Sequence, residues 1–419
     1  MLIEFSVSNF RSIRGRQTLS MVATPRLRKK NCVFKIDVKG EQLPDLLKVA
    51  AIYGPNASGK SNLLAAIEVV QKMTNFIPSS ESRELPVSPF RFDEALLDEP
   101  SEFEFHFVVE RQRYQFNLGL NSKRITLERL ITYPSGKETL LYERVNSPVG
   151  DVYKLGESLE GGESLHDVWK NLTGPQTLFI SQAVANSNEN LMQLRIPRKW
   201  LSSGFITVVE DEMEHWSKVV QAYGAQRPFI ANDVANFLQD VDVPITNIVF
   251  ESLFEDGREH KEEAPSKKPM HLDILMKPGT RRRTTLTHTT ALGRADFDFS
   301  EESRGTRNLL GFFMPWVFLG KKAIVVDELD SSLHPKIVST LVEKHLNNSV
   351  SSQLIFTTHD THLMDSKLLR RDQFWLTERD KNGATILRSI HDFEGREGED
   401  IEKRYYEGKY RGLPILRSL

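Results

Sequence analysis

Eight residues, Gly54-Pro-Asn-Ala-Ser-Gly-Lys-Ser61, hold two glycines, a lysine and a serine at the spacing a backbone loop needs to wrap phosphate oxygens. The glycines let N–H groups curl around an anion, and a helix starting there adds the positive end of its dipole. Lys60 would reach the β and γ phosphates of ATP and Ser61 would ligate Mg²⁺, so ATP and Mg²⁺ are the expected cofactors. Gly54, Pro55, Asn56, Ala57, Ser58, Gly59 and the next residue, Asn62, complete the expected ATP-binding set. A phosphate loop needs an acid at the end of a neighbouring strand, and AIVVDE supplies two. Asp327 can hold Mg²⁺ through water, and Glu328 can polarise the attacking water. Further on, QLIFTTHD puts His359 just past another strand, where it could bond the γ-phosphate or that water.

These residues require strands to carry them. Val49 to Tyr53 is an unbroken apolar run of the kind found in parallel strands buried on both faces, and an apolar-periodic helix, Asn62 to Met73, follows the loop. Similar runs recur at Ala323–Val326, Gln353–Thr357 and Phe374–Thr377; with a helix over Pro335–Leu346 they predict a βαβ unit and a parallel sheet. Residues 2–7 read as a strand and 24–45 as a polar, basic loop or hairpin. From Phe103, FEFHFVV, YQFNLGL and RITLERLITY alternate with period two, which predicts an antiparallel meander. Residues 134–175 read as loops around a weaker strand. Residues 188–238 read as short helices without coiled-coil heptads, and 255–269 as an exposed, charged loop.

The bulk composition narrows the class. The chain's 419 residues include 55 lysines and arginines against 57 acids, so no global charge announces a nucleic-acid binder. A single cysteine, Cys32, excludes an intrachain disulfide framework and a cysteine-based zinc site, and fits a reducing cytoplasm. No signal-peptide core and no run of roughly 18 apolar residues is present, so a soluble cytoplasmic protein without a membrane partner is expected. There is no internal repeat.

Taken together, GPNASGKS, AIVVDELDSSLHP and a strand ending in FTTH resemble the ABC-type ATPases of the RecF, SMC and overcoming-lysogenisation-defect class. The resemblance implies an α/β fold: an ABC-ATPase head with a mostly parallel sheet flanked by helices, an antiparallel β-meander lobe and a short helical insertion. SNFRSI (Ser8 to Ile13) looks like the N-terminal strand of that class, which implies that Arg11 approaches the nucleotide. Ser303-Arg-Gly-Thr306 takes the place of the signature sequence, with Arg304 where the first glycine usually stands. By resemblance, Ser303, Gly305 and Thr306 contact the γ-phosphate held by a second subunit, so that two ATPs are sandwiched in a homodimer or higher homo-oligomer. Ser331, Ser332 and His334 match the interface loop after the catalytic glutamate, and Gln182 is the candidate for the Mg²⁺-sensing glutamine.

Closer still, ESRGTRNLL, DELDSSLHP and YYEGKYRGLPIL are similar to prokaryotic AAA ATP-binding proteins that include the RloA and AbiL-type proteins of phage-defence systems. The expected division is 1–183 for the N-terminal part of the head, 184–245 for the helical insertion, 246–390 for the C-terminal part and 391–419 for a tail. Lys60 and Asp327 lie 267 residues apart, so inserted structure interrupts the head. The 60 residues after His359 are expected to be too few for an appended nuclease domain, which would need on the order of 100 residues. The acids of Asp392–Glu402 are expected to be a solvated tail. The leading expectation is an ATPase regulating a separately encoded effector, a nuclease or toxin, in antiphage defence. Two others stand beside it: a RecF-like clamp with DNA as partner, drawing on RLRKK (Arg26–Lys30) and Arg281–Arg283, and a nucleotide-gated scaffold with negligible turnover.

Overall fold

A strand that is apolar throughout must be covered on both faces, whereas an alternating one needs cover on one face only, and the chain sorts its strands by this rule. The computed structural model describes residues 1–76, 84–208, 213–227, 229–254, 280–317, 322–347, 351–396 and 398–413. The first elements are β1 (Leu2–Ser8), β2 (Gln17–Ser20), β3 (Val33–Phe34), β4 (Leu46–Leu47), β5 (Val49–Tyr53) and α1 (Lys60–Asn75). Five strands follow, β6 (Ser101–Val109), β7 (Gln112–Leu120), β8 (Ile125–Thr132), β9 (Thr139–Ser147) and β10 (Gly150–Leu155). Then come α2 (Glu163–Leu172), α3 (Phe179–Ala185), α4 (Met192–Ser203), β11 (Phe205–Val208), α5 (Met213–Gln226) and α6 (Phe229–Asp240). The next elements are β12 (Ile245–Phe254), β13 (Thr280–Thr290), β14 (Gly293–Asp298), α7 (Arg304–Val317), β15 (Ala323–Val326) and α8 (Pro335–Asn347). The chain closes with β16 (Gln353–Thr357), β17 (Phe374–Arg379), β18 (Thr385–Ser389) and α9 (Ile401–Tyr406). Among the described residues no helix is long and apolar enough to cross a membrane.

The chain divides into two units. The first holds Met1–Thr207, Gly320–Asp327 and His345–Leu419. Its central sheet has the order β11-β15-β16-β5-β17-β18, with β15, β16, β5 and β17 mutually parallel and β18 antiparallel. The second sheet, β10-β9-β8-β7-β6-β1-β2, is antiparallel. Gln353 of β16 bonds both the N–H and the carbonyl of Leu2, a two-point tie between the sheets at 2.8 Å each. The core between them is aromatic: the Phe107 and Trp200 rings stack with centroids 3.9 Å apart.

The second unit holds Val208–Leu319 and Glu328–Lys344. Val220 of α5, Val234 and Leu238 of α6, Ile248 of β12 and Leu310 and Phe313 of α7 form its core. The antiparallel sheet β12-β13-β14 completes it.

The parallel strands, the βαβ unit and the meander lie where the sequence predicts them. Residues 134–175 differ from expectation, forming the β9–β10 hairpin and α2. Charge hid this hairpin: Arg144 is buried, yet its guanidinium is spent on Asp151 and on the carbonyls of Thr177 and Gly174. β13 and β14 were also unforeseen; β13 is threonine-rich, and β-branched threonines suit a pleated surface although they read as polar. Helix α4, within the expected 184–245 insertion, packs Leu194, Trp200 and Leu201 into the core of the first unit. The charged 255–269 stretch lies outside the described residues.

Asp392, Glu394 and Asp400 are exposed, and residues 398–412 also carry an ordered helix and a buried tyrosine. Asp400 caps α9, Thr361 donates to Glu402 at 2.6 Å, and Tyr410 is buried beside Arg371 and Arg404. Among the described residues no group of three His, Cys, Asp or Glu could hold a metal ion.

Candidate nucleotide site

The loop after β5 is built by close backbone approach. A Cβ on Gly54 would stand 2.3 Å from Thr377 Oγ1 and 2.5 Å from the Thr377 carbonyl, so only glycine fits there. At Gly59, with φ 102°, a Cβ would meet Thr385 Oγ1 at 2.0 Å. Ser58 and Lys60 are buried within the loop, and Lys60 Nζ donates to the carbonyls of Gly54 (2.8 Å) and Pro55 (3.3 Å). Lys60 and Ser61 open α1, a 16-residue helix, so its N-terminal partial charge falls on this loop. Pro55, Asn56 and Ala57 form the outer bend, with Ala57 left-handed at φ 61° and its carbonyl accepting from Arg379 Nε at 2.6 Å. Arg11, also left-handed at φ 50°, reaches the same helix start: its Nη1 donates to Asn62 Oδ1 at 3.3 Å.

The acid side is assembled by register. β15 pairs with β16 and β16 with β5, all parallel, so Asp327, His359 and the loop follow the C-terminal ends of three adjacent strands. Thr357, the last residue of β16, donates to Asp327 Oδ1 at 2.6 Å. That bond fixes the carboxylate and leaves Asp327 Oδ2 for other partners. His359 is exposed two residues beyond β16, and the backbone between is anchored by Thr358 N–H to the Ile52 carbonyl at 3.1 Å. Asp327, Thr357, Ser61 and His359 all belong to the first unit. Mg²⁺ keeps several waters and takes only one or two protein ligands beside phosphate oxygens, so a serine hydroxyl and one oriented carboxylate suit it.

Glu328 follows Asp327 with φ 56°, and its carbonyl accepts Ser331 N–H at 2.9 Å, which turns the chain sharply into Ser331–His334. In this second unit, Ser303 Oγ accepts the Thr306 N–H at 3.1 Å and lies 2.9 Å from Thr306 Oγ1, capping α7. A Cβ on Gly305 would meet the Ser332 carbonyl at 2.9 Å, and Asn308 Nδ2 donates to the Ser331 carbonyl at 3.4 Å. The structure therefore brings Gly305 and Asn308, at the helix start that Ser303 caps, against the Ser331–Ser332 turn, while His334 Nδ1 accepts Lys336 N–H. Gln182 stands on α3, partly buried, its carbonyl accepting Asn186 N–H.

Four contributors to the loop escaped the sequence reading: Ser12, Thr377, Arg379 and Thr385. Thr357 escaped on the acid side. The available signal was a threonine closing each of two buried runs, QLIFT and FWLT, where a hydroxyl at a strand end has carbonyls and carboxylates within reach. The basic RLRKK run is partly spent on its own chain: Lys29 Nζ bonds the carbonyls of Ser366 and Leu369.

Against this geometry, residues 49–365 match the family model described as "AAA domain, putative AbiEii toxin, Type IV TA system", about three quarters of the chain. The chain belongs to this AAA family. Membership together with the phosphate loop makes it an ATP-binding protein of ATPase type. A search of curated proteins found no match. Among solved structures, an SMC head bound to the C-terminal winged-helix domain of ScpA shares 11% identity at a TM-score of 0.42, covering 93% of this chain and 97% of that one. The SMC head domain from Thermotoga maritima shares 14% at 0.38, with 93% and 98% covered. An SMC head with an extended coiled coil, bound to the C-terminal domain of ScpA from Pyrococcus furiosus, shares 9% at 0.42, with 93% and 97% covered. At such identities function has to be argued from this chain's own residues.

Proposed function

We propose that this AAA protein binds and hydrolyses ATP and dimerises around it, and that it regulates a separately encoded effector in prokaryotic antiphage defence. The observation that carries the ATPase reading is the Thr357–Asp327 bond: it orients an acid on the strand two places from the phosphate loop's own strand. In this reading Lys60 and the loop N–H groups hold the phosphates, and Asp327 with Ser61 holds Mg²⁺, which would supply charge neutralisation of the phosphates. Glu328 takes a proton from the attacking water, and His359 donates to the γ-phosphate or to that water. Arg11 lies along the nucleotide and Gln182 remains the proposed Mg²⁺ sensor. Ser303, Gly305 and Thr306 face the ATP of a second copy, with Ser331, Ser332 and His334 along the interface. The exposure of Ser303, and the packing of Gly305 and Asn308 against the Ser331–Ser332 turn, support that reading.

The defence role rests on the likeness of ESRGTRNLL, DELDSSLHP and YYEGKYRGLPIL to RloA and AbiL-type proteins, and on the family description, which names a putative toxin of a type IV system. Phosphate release from Mg-ATP tests the enzymatic part: wild type turns over and Lys60→Ala does not. Equal release by both would remove this chain as the source of the activity. The regulatory part is tested by coexpression with the product of the adjacent gene, where Lys60→Ala is expected to change the effector's toxicity.

A further inference from the structure

The phosphate loop is held from outside by two buried threonines of the β17–β18 hairpin. Thr377 Oγ1 donates to the Tyr53 carbonyl at 3.1 Å; its one proton is then spent, and Ser58 Oγ, 2.5 Å away, is the donor of that pair. Thr385 Oγ1 donates to the Ser58 carbonyl at 2.8 Å, and by the same count Ser12 Oγ, at 2.8 Å, donates to Thr385. Asn62 Nδ2 donates to Ser12 Oγ at 2.7 Å, and Arg11 Nη1 to Asn62 Oδ1 at 3.3 Å. The hydroxyls and amide thus form one directed chain from the Arg11 guanidinium to the Ser58 carbonyl. Its middle is fixed by a backbone bond from Thr385 N–H to the Ser12 carbonyl at 2.8 Å.

A trans peptide sets its C=O and N–H on opposite sides, and the chain has no cis bonds among the described residues. A donor that fixes the Ser58 carbonyl toward β18 therefore turns the Gly59 N–H the other way. We infer that Thr385 is a positioning residue for the nucleotide. Its hydroxyl sets the Ser58–Gly59 peptide plane so that the Gly59 N–H faces the phosphates, and it couples that plane to Arg11 through Ser12. The inference rests on reading Gly54–Ser61 as the ATP loop and adds a residue from a hairpin some 320 positions downstream.

The test is titration of the full chain with a fluorescent ATP analogue and Mg²⁺, with KM and kcat measured in parallel. Thr385→Val keeps the volume and removes the hydroxyl; it is expected to weaken binding about tenfold and to raise KM by more than it lowers kcat. Thr385→Ser keeps the hydroxyl and is expected to bind like wild type. Ser12→Ala breaks the chain one link earlier, and added to Thr385→Val it is expected to cost little more, because both act on one chain of bonds. Wild-type affinity in Thr385→Val, equal weakening in Thr385→Ser, or fully additive losses would each overturn the inference. If wild type binds no ATP, it is the reading of the loop that fails.

Discussion

At the residue scale, the proposed roles divide into holding and reacting. Asp327 is fixed by the Thr357 hydroxyl at 2.6 Å, and Lys60 is buried within the loop, whereas Glu328 stands in a left-handed turn just beyond the strand. A non-glycine residue at positive φ stores backbone strain, and such strain concentrates where a side chain must be aimed. Glu328→Gln keeps the shape and removes the proposed base. It is expected to lower kcat about 10²- to 10⁴-fold while ATP affinity stays near wild type, measured by phosphate release and nucleotide titration. Retained turnover would move the base to another residue. The places of Lys60 and Ser61 at the start of α1 and of Asp327 and Glu328 just past β15 were legible, because motif spacing ties them to a strand and a helix. Thr385 was not, because its partner Ser58 is 327 residues away and only the fold brings them together.

At the element scale, two helix starts carry the argument. Ser303 caps α7, so loss of function on replacing it could arise from the cap alone. Ser303→Asp separates the roles: aspartate is as good an N-cap, yet it sets a negative charge where a partner's γ-phosphate is proposed to lie. Stability by urea denaturation is expected within about 0.5 kcal/mol of wild type, with ATP-dependent dimerisation lost. Normal dimerisation would reduce the signature turn to a cap.

The start of α3 is held differently. The carboxylate of Glu128 accepts the N–H groups of Phe179 and Ile180 at 2.6 and 3.0 Å and the Tyr142 hydroxyl at 2.7 Å, with Arg144 4.0 Å away. Complete burial pushes this carboxyl up, and the Arg144 charge is the largest effect holding it down. Glu128→Ala leaves the buried Phe179 and Ile180 N–H groups and the Tyr142 hydroxyl without this acceptor, and the expected loss is about 3 kcal/mol by urea denaturation. Glu128→Gln, which keeps an acceptor, is expected to lose less. In the sequence, Glu128 reads only as an outward polar residue of a period-two strand, so nothing marked it as the anchor of the helix that carries Gln182.

At the scale of the whole molecule, acid should lower the stability of the first unit over two pH windows. Burial pulls His345 down to about 4, so its native state must shed a proton; its contribution is complete above pH 6.5 and lost as pH falls from 6.5 toward 4. The bond to His106 and the Arg16 guanidinium overcome the cost of burial at Glu104 and hold it down at about 2; its contribution is complete above pH 4.5 and lost as pH falls from 4.5 toward 2. Each is worth at most about 3 kcal/mol. Urea midpoints against pH are expected to lose the upper step in His345→Gln and the lower step in Glu104→Gln. A single step unaffected by either change would reject the assignment.

Whether ATP closes two copies around shared sites is decided by sedimentation velocity of Glu328→Gln. With Mg-ATP this variant is predicted to sediment as a dimer or larger assembly and without nucleotide as a monomer, and Glu328→Gln combined with Ser303→Asp is predicted to stay monomeric in both. A monomer in saturating Mg-ATP, with nucleotide demonstrably bound, would contradict the account.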